Sequence, residues 1–246
     1  MLKRPPEIEE SFADAERRAV SAFAAVPWKK KLAYMLFPNY SFLLDQVNNN
    51  ALVKNWLKEH SEVPVLTKRV DLWQFIEDKY LKGEAINYLE FGVWQGDSIQ
   101  TWSSISANPA SRFVGFDSFR GLPEDWNAAM KKGRFDVAGA VPNIDDNRVS
   151  FVEGWFQNTL PKFLEGFQND KRLVVHNDCD LYSSTAYCLA KLDALFHPGA
   201  IIIFDDFSSP LDVFRAWNDY LRAFMRKAKP IAMTAIYAGQ AAFMFE

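Results

Sequence analysis

The chain has 246 residues, of which 49% are hydrophobic and 15% aromatic, which suits one α/β domain with a two-sided core and leaves two full domains cramped. Lys and Arg number 28 against 31 Asp and Glu, a net charge of -3, so there is no broad attraction to phosphate backbones and nucleic acid is excluded as an expected partner. Cys179 and Cys188 are too few for a disulfide framework and read as reduced thiols. The N-terminus lacks a signal-like pattern and no apolar run approaches a bilayer span, so a soluble cytoplasmic protein with no membrane partner is expected.

Up to about residue 81 the apolar spacing is helical, through Ile8, Phe12, Ala15 and Val20, then Leu44, Val47 and Ala51, then Leu72, Phe75, Ile76 and Leu81. Residues 1–81 are therefore expected to be a helical extension, and residues 82–246 a separate α/β domain. Lys29 to Lys31, followed by apolar residues, read as a solvated helix edge. From Ile86 short apolar runs alternate with amphipathic ones, as in a parallel sheet with crossover helices. Strands are expected at Ile86 to Phe91, Arg112 to Asp117, Val149 to Glu153, Leu173 to Asn177 and Ala200 to Asp205. Helices are expected near Ser98 to Ala107, Asn158 to Phe167, Tyr182 to Phe196 and Leu211 to Lys227. Ile231 to Tyr237 and Ala241 to Phe245 read as a hairpin on the sheet. The connection from Ser118 to Asn147 is too long to be idle and reads as a lid, with Trp126, Lys131, Lys132 and Arg134 as candidate acceptor contacts.

The stretch Tyr88-Leu89-Glu90-Phe91-Gly92-Val93-Trp94-Gln95-Gly96-Asp97-Ser98 lies where a buried strand turns into a helix. Gly92 and Gly96 allow close approach of backbone to a ligand, and Glu90 before them suits an ammonium group better than a pyrophosphate. Asp117 ends the next strand, where a carboxylate can accept both ribose hydroxyls. Farther on, Asp178 and Asp180 follow the fourth strand and Asp205 and Asp206 end the fifth. Right-handed crossovers gather all four at one sheet edge, an arrangement that points to Mg²⁺ or Ca²⁺ rather than zinc. Asp180, just ahead of a helix, reads as a helix cap or a ligand.

These segments resemble the macrocin O-methyltransferase family of class I S-adenosylmethionine-dependent methyltransferases. The resemblance is carried by the glycine turn, by Gly115 to Pro123, Gly154 to Pro161 and His176 to Thr185, and by Asp205-Asp206, over residues 86–206. It implies a Rossmann-like α/β fold, a mostly parallel seven-stranded sheet with a C-terminal antiparallel hairpin. It assigns Glu90, Gly92 and Gly96 to the methionine part of S-adenosylmethionine and Asp117 to the ribose, with Ser98 and Ser118 as further cofactor-binding residues. Gly154, Trp155 and Phe156 fall to the adenine, although the two aromatic side chains read equally as core. Asp178, Asp205 and Asp206 become ligands of Mg²⁺, which lowers the pKa of an acceptor hydroxyl and orients it.

The expected partner is a small-molecule acceptor carrying a sugar or another polyhydroxy group. Asp178 and His176 are the candidate catalytic residues, His176 reading also as a hydrogen-bonded structural histidine. Asn177 departs from the apolar residue usual in the family between His and Asp. The N-terminal helices either shape the acceptor pocket or form a homo-oligomer contact. Two rival readings stand beside this one. Asp178-Cys179-Asp180 is also the D-x-D pattern of metal-dependent nucleotide-sugar glycosyltransferases, and an S-adenosylmethionine-binding protein without catalysis would need no metal.

Overall fold

The computed structural model describes residue 28, residues 41–235 and residues 239–246. The helix expected through Ile8 to Val20, the Lys29 to Lys31 segment and the hairpin residues Ile236, Tyr237 and Ala238 lie outside the described residues. The chain divides into compact units at residues 1–48 and 49–246, and the second contains the sheet. In chain order the elements are α1 (Ser41–Glu59), β1 (Val65–Leu66), α2 (Arg69–Ile76), a π-helical turn (Glu77–Leu81), β2 (Ile86–Phe91) and α3 (Asp97–Ile105). After these come β3 (Arg112–Asp117), β4 (Val149–Glu153), α4 (Phe156–Gly166), β5 (Arg172–Asn177), α5 (Tyr182–Leu192), β6 (Ile201–Phe204), α6 (Val213–Ala223), β7 (Ala228–Thr234) and β8 (Ala241–Phe245).

The eight strands form one sheet in the order β1-β7-β8-β6-β5-β2-β3-β4, and every pairing is parallel except those of β8 with β6 and β7. Without β1 this is the expected Rossmann-like sheet of seven strands with its C-terminal antiparallel hairpin. The eighth strand was not expected, because two residues carry no apolar period. Backbone bonds define it, Met233 N–H donating to Pro64 and Ala235 N–H to Leu66, both at 2.9 Å. Thus β1 and α2, both before residue 82, belong to the sheet and its core. Among the described residues no helix is long and apolar enough to cross a membrane.

Central strands are buried on both faces, so alternate residues feed two cores. Leu89 and Phe91 of β2, Val175 of β5 and Phe204 of β6 pack with Leu189 and Trp217 on one side. Tyr88, Val174 and Ile203 pack with Leu72, Trp73 and Trp102 on the other. The chain leaves β2 for β3 on one side and returns to β5 on the other, which creates a switch point at the carboxyl ends of β2 and β5, where open α/β sheets bind ligands.

Candidate active site

At the switch point lies a cavity of about 400 Å³, within the range of small-molecule sites. Its wall is acidic: Asp97, Asp117, Asp178, Asp180, Asp205 and Asp206 line it, and among the described residues Arg69 is the one basic lining residue. The sheet brings together most of the residues expected there, since Gly92, Ser98, Asp117, Ser118, Gly154, Trp155, Phe156, Asp178, Asp205 and Asp206 all face the cavity.

Gly92 has φ +91, and a Cβ there would sit 1.8 Å from the Asp178 carbonyl oxygen. Its own N–H donates to Phe116 O at 2.9 Å, while Asp178 N–H donates to Phe91 O at 2.8 Å. Glycine is therefore needed here for the β2 and β5 ends to close against each other, a reason different from the ligand approach expected of it. Gly96, at φ +87, precedes α3, and a Cβ would meet Pro142 Cβ at 2.9 Å. The long connection thus docks on the glycine turn, and Gly96 does not line the cavity.

Glu90 is fully buried and also lies off the cavity wall. Its Oε2 accepts the Tyr88 hydroxyl at 2.6 Å, and its Oε1 is buried with no hydrogen-bond partner. A buried acceptor left unpaired costs about 1–3 kcal/mol, a cost that a nearby cationic ligand group would offset. Asp117 is more engaged than expected. Its Oδ2 accepts the N–H groups of Val93 and Trp94, both at 2.8 Å, and its Oδ1 accepts that of Phe119 at 2.7 Å. With about four acceptor positions per carboxylate, Oδ1 retains room for one ribose hydroxyl rather than two. Ser118 Oγ accepts Arg120 N–H at 3.1 Å. Phe156 divides between wall and core, its ring meeting Phe91 edge-on at 5.5 Å, whereas Trp155 is 38% exposed.

The carboxylates crowd one another. Burial, followed by the charges of Asp205, Asp180 and Glu90, pushes the Asp178 carboxyl well up, and Arg69 offsets this only in part. Burial and then the charges of Asp206 and Asp205 raise Asp180 to about 7. Asp206 rises to about 6, through burial and then Asp205. Arg69, at the start of α2, pairs its Nη1 with Asp205 Oδ2 at 2.5 Å. One half-exposed guanidinium is weak compensation for so many acids.

Ligand atoms of His176, Asp178 and Asp205 lie within 4.8 Å of one another, and Asp206 is outside that group. The two carboxylates of this group suit a hard divalent ion such as Mg²⁺, for which an imidazole nitrogen is not the usual ligand. Asp180 has φ +58 and does not cap α5. Leu181 holds the cap position, without a side-chain cap. Asn177, the departure from the family pattern, is buried on the opposite face, where its Nδ2 donates to Thr185 Oγ1 at 3.1 Å and its Oδ1 accepts Cys179 Sγ at 3.3 Å. Both cysteines are free.

Of the expected acceptor contacts, Trp126 lines the cavity with Leu122 and Phe135. Its Nε1 donates to Asp212 Oδ2 at 3.0 Å. Lys131, Lys132 and Arg134 do not reach the cavity: Lys131 pairs with Asp125, and Arg134 lies over the Phe135 ring. Solvation keeps such loop charges outward. The sequence reading missed Arg69, for which no spacing gave a signal. It also missed Tyr88, which strand alternation already placed beside Glu90.

The comparisons with known proteins agree with this geometry. A macrocin-O-methyltransferase family model matches residues 134–238, the stretch that contains Asp178, Asp205 and Asp206. The chain is 31% identical over 175 residues to the 8-demethyl-8-(2,3-dimethoxy-alpha-L-rhamnosyl)-tetracenomycin-C 4'-O-methyltransferase of Streptomyces olivaceus, covering 62% of this chain and 65% of that protein. It therefore spans slightly less than two thirds of that relative. It is 27% identical over 183 residues to the demethyldecarbamoylnovobiocin O-methyltransferase of Streptomyces niveus, covering 66% and 68%. Among solved structures, the O-methyltransferase NovP superposes with a TM-score of 0.55 at 20% identity, covering 72% of this chain and 78% of that one. This supports the class I methyltransferase fold.

Proposed function

We propose that the chain is an S-adenosylmethionine-dependent O-methyltransferase that acts, with Mg²⁺ at Asp178 and Asp205 and with the adjacent Asp206 as a further ligand, on a hydroxyl of a small sugar-containing or polyhydroxy acceptor. The observation that carries this reading is the cavity at the switch point, lined by six aspartates and one arginine, a wall that favours a sulfonium nucleoside and a divalent ion over a phosphate-bearing ligand. The relatives' names, one of them an O-methyltransferase of a rhamnosyl compound, support the acceptor class.

When bound, the nucleoside supplies an electrophilic methyl group, so the protein has to align an acceptor oxygen and remove its proton. A divalent ion supplies acidity to that hydroxyl. Asp117 Oδ1 is the acceptor for a ribose hydroxyl, and Ser98 and Ser118 offer further polar contacts. Gly154, Trp155 and Phe156 border the adenine, and Glu90 places a buried negative charge behind Gly92 for the methionine ammonium. Asp178, on the cavity wall, is the residue assigned to take the acceptor proton. Trp126, Leu122 and Phe135 exclude water above it.

The test is methyl transfer from labelled S-adenosylmethionine to glycosides with adjacent hydroxyls, with Mg²⁺ present or chelated. Turnover should require the ion, and Asp178→Asn should lower kcat by at least about 100-fold. Turnover unchanged by chelation would remove the metal from the account, and a thermal shift with UDP-sugars in place of S-adenosylhomocysteine would favour the D-x-D glycosyltransferase.

A further inference from the structure

Beneath the cavity wall, five buried side chains from α2, β2, β5 and the turn before β8 form one hydrogen-bonded run. Trp73 Nε1 meets Gln240 Oε1 at 3.0 Å, Gln240 Nε2 meets His176 Nε2 at 3.5 Å, His176 Nδ1 meets Tyr88 Oη at 2.9 Å, and Tyr88 Oη meets Glu90 Oε2 at 2.6 Å. All five residues are almost or wholly inaccessible. Two sheet registers assemble the run. Glu90 pairs with His176 across β2 and β5, with Tyr88 two residues back on the same face. Gln240 enters from the turn before β8, anchored by its N–H on Thr234 Oγ1 at 2.8 Å.

The direction of each bond follows from the chemistry at its ends. An indole N–H can only donate, so the Gln240 carbonyl faces Trp73 and its NH₂ faces the histidine. An amide NH₂ cannot accept, so His176 Nε2 presents a lone pair to it, and the ring's one proton sits on Nδ1. That N–H donates to the Tyr88 oxygen, which leaves the phenol hydrogen for the Glu90 carboxylate. Every donor in the run thus points toward Glu90.

We propose that His176 is a positioning residue, carrying its proton on Nδ1 and held between Gln240 and Tyr88, and that it holds the Glu90 carboxylate fixed behind the cavity wall. Its Nε2 lone pair is taken, so it is neither the base for methyl transfer nor a ligand to an ion at Asp178 and Asp205, although it stands close to both. Gln240 and Tyr88 become positioning residues with it, and the C-terminal hairpin acquires a part in the site. The kinetic part of the test rests on the proposed S-adenosylmethionine site. The tautomer does not.

Nitrogen-15 NMR of the histidine-labelled full chain should show His176 with a protonated, pyrrole-like Nδ1 and a pyridine-like Nε2; a proton on Nε2 instead would overturn the proposal. In kinetics, His176→Asn keeps an amide N–H near the position of Nδ1 and His176→Gln does not. The asparagine variant should keep its S-adenosylmethionine KM within about threefold of the parent. The glutamine variant should raise it about tenfold, the effect of one lost buried hydrogen bond, with kcat little changed in both. A fall in kcat of about 100-fold or more in both variants alike would mark a lost base or ligand and would contradict the proposal. A parent chain that bound no S-adenosylhomocysteine would defeat the proposed function, while the NMR result would still decide the tautomer.

Discussion

At Gly92 the distance that matters is 1.8 Å, from a hypothetical Cβ to the Asp178 carbonyl oxygen. Backbone is on both sides of that contact and φ is positive, so neither side can yield cheaply. Gly92→Ala should destabilise the fold by about 3 kcal/mol or more, measured by urea unfolding, and should abolish cofactor binding with it. The glycine was legible in the sequence, but its reason was not, because the atom that requires it belongs to a residue 86 positions later. The same holds for Glu90. Its position at a strand end was readable, whereas its withdrawal from the cavity wall depends on Tyr88 and His176, which only the β2–β5 register brings together. Asp117 shows the opposite case, a residue expected at the site that does line the cavity and spends three of its acceptor positions on the turn that carries it.

Among the elements, the five parallel strands of the α/β core were readable to within about a residue because each is a short apolar-rich run followed by polar residues, even the half-exposed β4. The two-residue β1 was not, since nothing but backbone pairing defines it. The long connection was expected to be functional from its length alone, and its fastening comes from contacts distant in sequence. Trp126 reaches Asp212, so Trp126→Phe, which keeps the ring and loses the N–H, should raise the acceptor KM about three- to tenfold and leave the melting temperature nearly unchanged in thermal denaturation.

The far end of the connection is held by Arg148. It binds Asp146 through Nε at 3.0 Å and Nη2 at 2.6 Å, and reaches the carbonyls of Ser103 at 2.6 Å, Ser106 at 2.7 Å and Asn108 at 3.0 Å around the end of α3. Arg148→Ala should cost about 2–4 kcal/mol in urea unfolding. The Arg148 side chain also holds the Asp146 carboxyl below its ordinary range. An acid depressed in the folded state contributes stability above its unfolded pKa of about 3.9, and loses it as pH falls through the lower folded value. Asp146→Asn should therefore lower the melting temperature at pH 7, by a deficit that shrinks as pH falls below about 3.9.

For the whole molecule, the order β4-β3-β2-β5-β6-β8-β7, with β8 alone reversed, places the glycine turn and two pairs of aspartates on one rim although about 110 residues separate them. Composition and alternation foretold that rim. They could not foretell the β1 edge strand, the entry of Arg69 from α2 or the reach of Gln240 from the hairpin, all of which follow from tertiary packing. The rim's charge is the claim on which the rest depends, and titration calorimetry of the full chain with S-adenosylhomocysteine tests it most directly. The account predicts saturable one-to-one binding, weakened about tenfold or more by Asp117→Ala. No measurable heat for the parent, or an affinity indifferent to Asp117, would contradict it.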